Sequence, residues 1–230
     1  MTEQKTASNH SLLYSTILFF ILIIGFIIMV RAYDQLLRPG PIGCAFNLMG
    51  SNGQVITEKT VRAKPAVVFF GYTHCPDICP TTLTDISRWL KELGPDADKL
   101  GVYFFSVDPA RDTPTELHDF LSNISDKIIG VSGDPAEVQK VIKSFNITAV
   151  KVPGENSDYT FDHTAAVILL HKGGVVSGII PYQPDVASTE RDGIALDKLR
   201  NLIEETEHVH QDNFLGHPMK RLHHLLPHLF

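Results

Sequence analysis

Between Leu12 and Val30 the chain is almost wholly apolar, and no formally charged residue occurs from Thr6 to Val30. As a helix rising ~1.5 Å per residue, the run reaches roughly 28 Å, close to the ~30 Å hydrocarbon core of a bilayer. A helix buried in a soluble core would normally keep a polar face, and this one has none. A cleaved signal is the competing reading, with Val30-Arg31-Ala32 as a passable cleavage site. Signal cores, however, usually run only ~7–15 residues. The expectation is an uncleaved transmembrane anchor over 12–30, with a short tail at 1–11 before it and a linker at 31–41 after it. Lys5 lies on one side of the run, and Arg31, Asp34 and Arg38 on the other, so flanking charge does not fix orientation. The opening Met-Thr-Glu-Gln-Lys-Thr contains an acid and no arginine. That is unlike a mitochondrial presequence and favours a bacterial inner membrane.

Arg38-Pro39-Gly40-Pro41-Ile42-Gly43 breaks the pattern, and beyond it strand-like and helix-like segments alternate. Apolar segments near Phe46–Leu48 and Val55–Thr57 flank Gly50-Ser51-Asn52-Gly53, a hairpin signal. Pro65–Gly71 reads as a buried strand. Thr81–Leu93 has helical spacing through Leu83, Ile86, Leu90 and Leu93, and stops at Gly94-Pro95. Leu100–Val107 is a second strand. Thr113-Pro114-Thr115-Glu116 opens a helix, with Thr113 as N-cap and Pro114 at N1. Lys127–Val131 is a short strand, and Asp134 starts another helix. Thr164–Leu170 and Val175–Ile180 form a terminal hairpin around Lys172-Gly173-Gly174, and Leu196–Glu205 is helical. The order implies an α/β fold, one central sheet with helices on both faces, occupying residues 42–207. The net charge of −6 without a basic stripe excludes nucleic acid as a partner. Residues 208–230 form a histidine-rich tail with histidines at 208, 210, 217, 223, 224 and 228, read as a solvated or membrane-adjacent helix.

Only three cysteines are present, and Cys75 and Cys79 share a strand-to-helix junction with Pro76 and Pro80. Free N–H groups and partial positive charge at a helix N-terminus favour thiolate over thiol. Cys44, in the glycine-rich entry segment, reads as a packing thiol. Asp77 reads as an acid of the first turn. Residues four apart share a helix face, so both sulfurs can reach one metal or, with a small backbone adjustment, each other. Thiolates suit Zn²⁺, Cu⁺ and iron–sulfur clusters. Structural zinc sites and clusters usually take four ligands. Two thiolates and one imidazole suit a three-coordinate copper site better. His163, at the mouth of the strand beginning at Thr164, is the candidate third ligand, although a lone histidine at a strand start is more often structural. Asp162 beside it is a candidate to orient the ring. His74 should point away.

Three runs taken together resemble the Sco/SenC family: Gly71-Tyr72-Thr73-His74-Cys75-Pro76-Asp77-Ile78-Cys79-Pro80, Val107-Asp108-Pro109-Ala110-Arg111-Asp112-Thr113 and Asp158-Tyr159-Thr160-Phe161-Asp162-His163-Thr164. The resemblance covers about residues 40–205. It implies a thioredoxin-like fold with an added N-terminal hairpin behind one transmembrane helix, and Cys75, Cys79 and His163 as copper ligands. It further implies delivery of copper, chiefly Cu⁺ and secondarily Cu²⁺, to the binuclear copper centre of cytochrome c oxidase, with the domain facing the periplasm. Expected partners are the oxidase's copper-binding subunit, other periplasmic copper chaperones or thiol reductants, and the lipid bilayer through the anchor. Asp77, Asp108, Arg111, Asp112 and Asp162 are candidates to support the ligands, with Asp108, Arg111 and Asp112 in one motif. Cys44 and the tail depart from the family pattern.

On this reading the protein is a metallochaperone rather than an enzyme. The alternatives are a thiol–disulfide oxidoreductase using Cys75 and Cys79 as its redox pair, and a copper or redox sensor. Thioredoxin-like reductases typically carry Cys-x-x-Cys, one residue shorter than the spacing here. The segment carrying His163 shows few apolar anchors, and the expectation is that it moves when metal is absent.

Overall fold

The computed structural model describes residues 4–37, 41–154 and 158–215. It separates into two units, residues 1–40 and 41–230. The first is one helix, α1 (Gln4–Leu37), whose stretch Leu13–Ala32 is long and apolar enough to cross a membrane and contains no buried residue.

The second unit begins with a hairpin, β1 (Asn47–Gly50) and β2 (Val55–Thr57), paired Leu48 to Ile56. Its turn closes with the Gly50 N–H donating to the Gln54 carbonyl at 2.8 Å, and Gly53 adopts φ 76°, where a side chain would be strained. A five-residue helix, α2 (Glu58–Arg62), comes next, with a capping box between Thr57 and Thr60. Then come β3 (Ala66–Gly71), α3 (Ile78–Leu93), a 3₁₀ turn over Gly94–Lys99, β4 (Gly101–Ser106), α4 (Pro114–Ser122), β5 (Ile129–Ser132) and α5 (Pro135–Ser144). Beyond these lie β6 (Ala149–Pro153), β7 (Tyr159–His163), β8 (Ala166–Leu170), β9 (Val176–Pro181) and α6 (Ser188–Leu215).

Seven strands form one sheet in the order β2-β1-β5-β4-β3-β8-β9. β3, β4 and β5 are parallel, joined by helical crossovers, while β8 runs antiparallel to β3 with Val68 opposite Ile168. β3 is buried along its whole length, which explains its unbroken apolar run. Its residues alternate between two cores. Val67 and Phe69 pack with Phe104, Leu83, Leu90, Leu117 and Leu199, under α3, α4 and α6. Val68 and Phe70 pack with Phe105, Val61, Val138 and Ile142, under α2 and α5. Two helix starts match their sequence signals, whereas α3 begins at Ile78 rather than Thr81, α6 at Ser188 rather than Leu196, and the short α2 has no counterpart in the sequence reading. Thr113 accepts the Glu116 N–H with Pro114 at the first helical position, and Asp134 accepts the N–H groups of Ala136 and Glu137.

β6 and β7 stand apart as a two-stranded ribbon, with Val150 opposite Asp162 and Ala149 opposite His163. Local sequence predicts a polar loop with few apolar anchors here. The ribbon instead places Phe161 and Tyr159 in ring contact, at 5.8 Å between centroids, and sets Phe161 5.6 Å from Tyr72. Glu155–Ser157 of that loop lie outside the described residues, as do His217, His223, His224 and His228 of the tail. His208 and His210 fall within α6.

Candidate metal centre

The site forms where β3 ends and α3 begins. Cys75 packs against both cores, beyond the C-terminal end of the interior strand β3. Its N–H donates to the Tyr72 carbonyl at 3.3 Å, which turns the chain after β3. Asp77 takes the N-cap position of α3 without a side-chain cap, one residue before the first turn that its sequence context suggests. Its Oδ1 instead accepts the Thr81 hydroxyl at 3.5 Å. Cys79 is the second residue of the helix and is fully buried. Gly71 makes room for it: a Cβ there would lie 2.6 Å from Cys79 Sγ and 2.8 Å from the Phe104 ring.

His163 comes from the other side. It ends β7, and its ring stands edge-on to Phe69 and Tyr72, at 6.3 and 5.9 Å. Its Nε2 lies 3.3 Å from Cys79 Sγ, and its Nδ1 lies 3.2 Å from the Thr164 carbonyl. A carbonyl only accepts, so this contact selects the tautomer protonated at Nδ1 and leaves the Nε2 lone pair facing the thiols. The ring is therefore oriented by a backbone oxygen that carries no sequence signal. Asp162 faces solvent and is hydrogen-bonded neither to the ring nor to the cysteines. His74 is exposed, its Nδ1 3.0 Å from Thr73 Oγ1.

The Sγ atoms of Cys75 and Cys79 and a ring nitrogen of His163 lie within 4.8 Å of one another, the one such group of three among the described residues. Two sulfurs each ~2.3 Å from a shared metal lie at most ~4.6 Å apart, so small side-chain rotations bring all three donors to one ion. Both cysteines are free thiols here. An open cavity of about 310 Å³ lies over the site, lined by Tyr72, Cys75, Pro76, Asp77, Phe161 and His163 among others.

The two thiols differ sharply. Cys75 is held down to about 5 from its ordinary 9.0, first by its hydrogen bond with the Cys79 thiol and then, against the cost of burial, by the Cys79 N–H, which donates at 3.4 Å. Cys79 is pushed up, because it donates to Cys75 and is buried. The metal-free pair thus carries one accessible thiolate and one retained proton.

Around the donors, Asp112 is wholly buried and accepts from the Ser106 hydroxyl at 2.6 Å and from the Thr73 hydroxyl and N–H at 2.6 and 3.1 Å. It pins Thr73, two residues before Cys75, to the loop after β4. Burial raises its carboxyl above the ordinary range. Asp108 and Arg111 are ion-paired, and Arg111 Nη1 reaches Asp158 at 3.0 Å. These residues contact the ribbon rather than the thiols. Cys44 lies elsewhere, with its sulfur 3.7 Å from the Lys140 carbonyl.

A family model described as SCO1/SenC matches residues 35–196. Among curated proteins, an Arabidopsis thaliana mitochondrial SCO1 homolog is 36% identical over 131 residues, 56% of this chain and 39% of that protein. A Saccharomyces cerevisiae mitochondrial SCO2 protein is 37% identical over 147 residues, 63% of this chain and 48% of its own. The matched segment therefore spans less than half the length of either relative. The structure of Bradyrhizobium japonicum ScoI with copper bound is 43% identical, covers 70% of this chain and 99% of that one, and superposes with a TM-score of 0.62.

Proposed function

The chain belongs to the SCO1/SenC family, and on that premise we propose that it is a membrane-anchored copper carrier holding Cu⁺ on Cys75, Cys79 and His163. The observation that carries this reading is the convergence of two sulfurs and one imidazole nitrogen within 4.8 Å, on a chain 43% identical to a copper-bound relative. Two thiolates, a neutral imidazole and Cu⁺ leave one net negative charge, which the N-terminus of α3 offsets. Soft sulfur donors favour Cu⁺, and the imidazole lets the same set take Cu²⁺. Cys75 needs no proton removed at neutral pH, whereas Cys79 must release one as copper enters. The cargo is passed to the copper-binding subunit of a cytochrome c oxidase, with the domain on the periplasmic side of a bacterial inner membrane and α1 as its single span. The open cavity beside Cys75 gives an incoming ligand its approach, and His163, on its own ribbon, is the donor that leaves first.

The test is copper stoichiometry in the reduced chain. One Cu⁺ per chain is expected, with loss of binding in Cys75→Ala and Cys79→Ala and weakened binding in His163→Ala. Unchanged retention in His163→Ala removes the imidazole from the site. A second reading, reduction of a partner's disulfide, is favoured by the low value of Cys75 and by two free thiols whose sulfurs lie within 4.8 Å of each other. A chain that reduces no model disulfide excludes it.

A further inference from the structure

Among the described residues, His163 sits on the one sheet that is not continuous with the central one, so something other than pairing with the central sheet must hold it in place. The ribbon is fixed at three points. At its base, the Thr164 N–H donates to the Thr148 carbonyl at 3.0 Å, and the Thr148 N–H donates to Thr164 Oγ1 at 3.1 Å. At its middle, the Tyr72 hydroxyl shares a 2.5 Å hydrogen bond with Thr160 Oγ1 and accepts the Phe161 N–H at 3.2 Å. Near its tip, the Tyr159 hydroxyl donates to Asp108 Oδ1 at 2.9 Å. The Arg111 guanidinium lies 3.8 Å from the centre of the Tyr159 ring while pairing with Asp108 and Asp158.

This third point is built for rigidity. Asp108 is buried to all but 2% and is held from the other side by its own N–H to Ser106 Oγ at 2.9 Å. Ser106 in turn donates to Asp112, which pins Thr73 beside Cys75. One chain of contacts thus connects the loop carrying the first sulfur to the strand carrying the imidazole. Tyr159, Phe161 and His163 occupy alternate positions along β7, the spacing at which side chains share a face, and both Phe161 and His163 bear on the Tyr72 ring. Tilting the ribbon at Tyr159 therefore tilts His163 against Cys79.

We propose that Tyr159, seated on Asp108 and Arg111, is a positioning residue that holds the β6–β7 ribbon so that His163 meets the cysteines, and thereby sets how long copper stays bound. The inference rests on the copper-carrier reading for its consequence but not for its mechanical part. Hydrogen bonds to a buried charge are among the stronger ones in proteins. Their loss should increase the fraction of time the ribbon is displaced.

The test uses the full chain in detergent and the substitution Tyr159→Phe, which keeps the ring and removes only the hydroxyl. In the metal-free protein, amide exchange in residues 149–152 and 159–163 should rise about tenfold while β3 and β4 are unchanged. Unchanged exchange in the ribbon overturns the proposal, whatever the protein does with copper. In the Cu⁺-loaded protein, transfer to a chromophoric Cu⁺ chelator should be about tenfold faster in Tyr159→Phe than in the unsubstituted chain. In a His163→Ala background the same substitution should change nothing, since the anchor acts only through the imidazole. Equal acceleration with and without His163 overturns the positioning role. If His163→Ala alone leaves transfer unaffected while ribbon exchange still rises in Tyr159→Phe, the copper reading fails and the anchor stands.

Discussion

Cys75, in the turn before α3, and Cys79, in its first turn, behave as opposites. The first is partly buried and drawn down to about 5; the second is buried and pushed up. Alkylation of the reduced, metal-free chain should therefore label Cys75 alone of the pair, with a rate that climbs through a midpoint near 5. Cys79→Ala removes the main cause and should return that midpoint toward 9.0. An unmoved midpoint would assign the effect to the helix terminus instead. The same shift has a sign for stability. Between about 5 and 9.0 the unfolded thiol at position 75 holds a proton that the folded one has lost, so this residue's contribution grows with pH across that window and is absent below it. Cys79 acts the other way above 9.0, where the folded state keeps a proton the unfolded state releases. Gly71 is a second residue whose role is spatial. An added Cβ would meet Cys79 Sγ at 2.6 Å against a rigid Phe104 ring. Gly71→Ala should cost about 1–3 kcal/mol in denaturant unfolding, as overpacking does, and should weaken Cu⁺ binding in a competition titration by displacing the sulfur. Wild-type values for both would show that the helix start yields freely.

At the scale of elements, α3 carries Cys79 and must be held in register. Its far face is tied to α6 through Asp192, which accepts from Trp89 Nε1 at 2.7 Å and from Arg88 Nε and Nη2 at 2.9 and 2.7 Å. Asp192→Ala leaves the buried Trp89 indole N–H without its acceptor and Arg88 with Asp85 as its remaining partner. It should lower the unfolding free energy by about 2–3 kcal/mol, measured by chemical denaturation, while Asp192→Asn should recover part of the loss by still accepting from Trp89. The central strands and their helices are legible in the sequence because each has a strong local signal: unbroken apolar runs at β3 and β4, Thr113-Pro114 and Asp134-Pro135 at helix starts, Gly50–Gly53 at the hairpin turn. The ribbon is not. Ala149–Pro153 faces mostly outward and shows no alternation of burial, and its partner is a strand of its own hairpin rather than the sheet. The candidate ligands Cys75, Cys79 and His163 stand out through their motif. What orients the imidazole does not, since the Thr164 carbonyl is a backbone atom; Asp112 stands out with its motif, but the partners through which it works lie 39 and 6 positions away in the chain. Asp162 attracts notice by adjacency, yet neighbours along a strand point to opposite faces.

At the scale of the molecule, two units with opposite demands on solvent share one chain. Residues 41–230 bury two cores and need water around them, whereas Leu13–Ala32 presents apolar side chains on every side. At ~1.5 Å per residue, those 20 residues match a ~30 Å hydrocarbon layer. The full chain should therefore stay with membranes through alkaline carbonate extraction, which strips proteins held only by charge. A chain beginning at Pro41 should appear in the soluble fraction and keep the Cys75 alkylation midpoint near 5, since every cause of that value lies within the second unit. Release of the full chain by carbonate would place α1 outside the bilayer. A shifted midpoint in the shortened chain would mean that the thiol site depends on the helix. Orientation calls for a separate measurement, because the charges flanking the helix are nearly balanced. Alkaline phosphatase, which folds only where disulfides form, fused after Phe230 should be active in a bacterial host if the thiol site faces the periplasm. An inactive, intact fusion would put the domain in the cytoplasm and remove oxidase copper delivery from its reach.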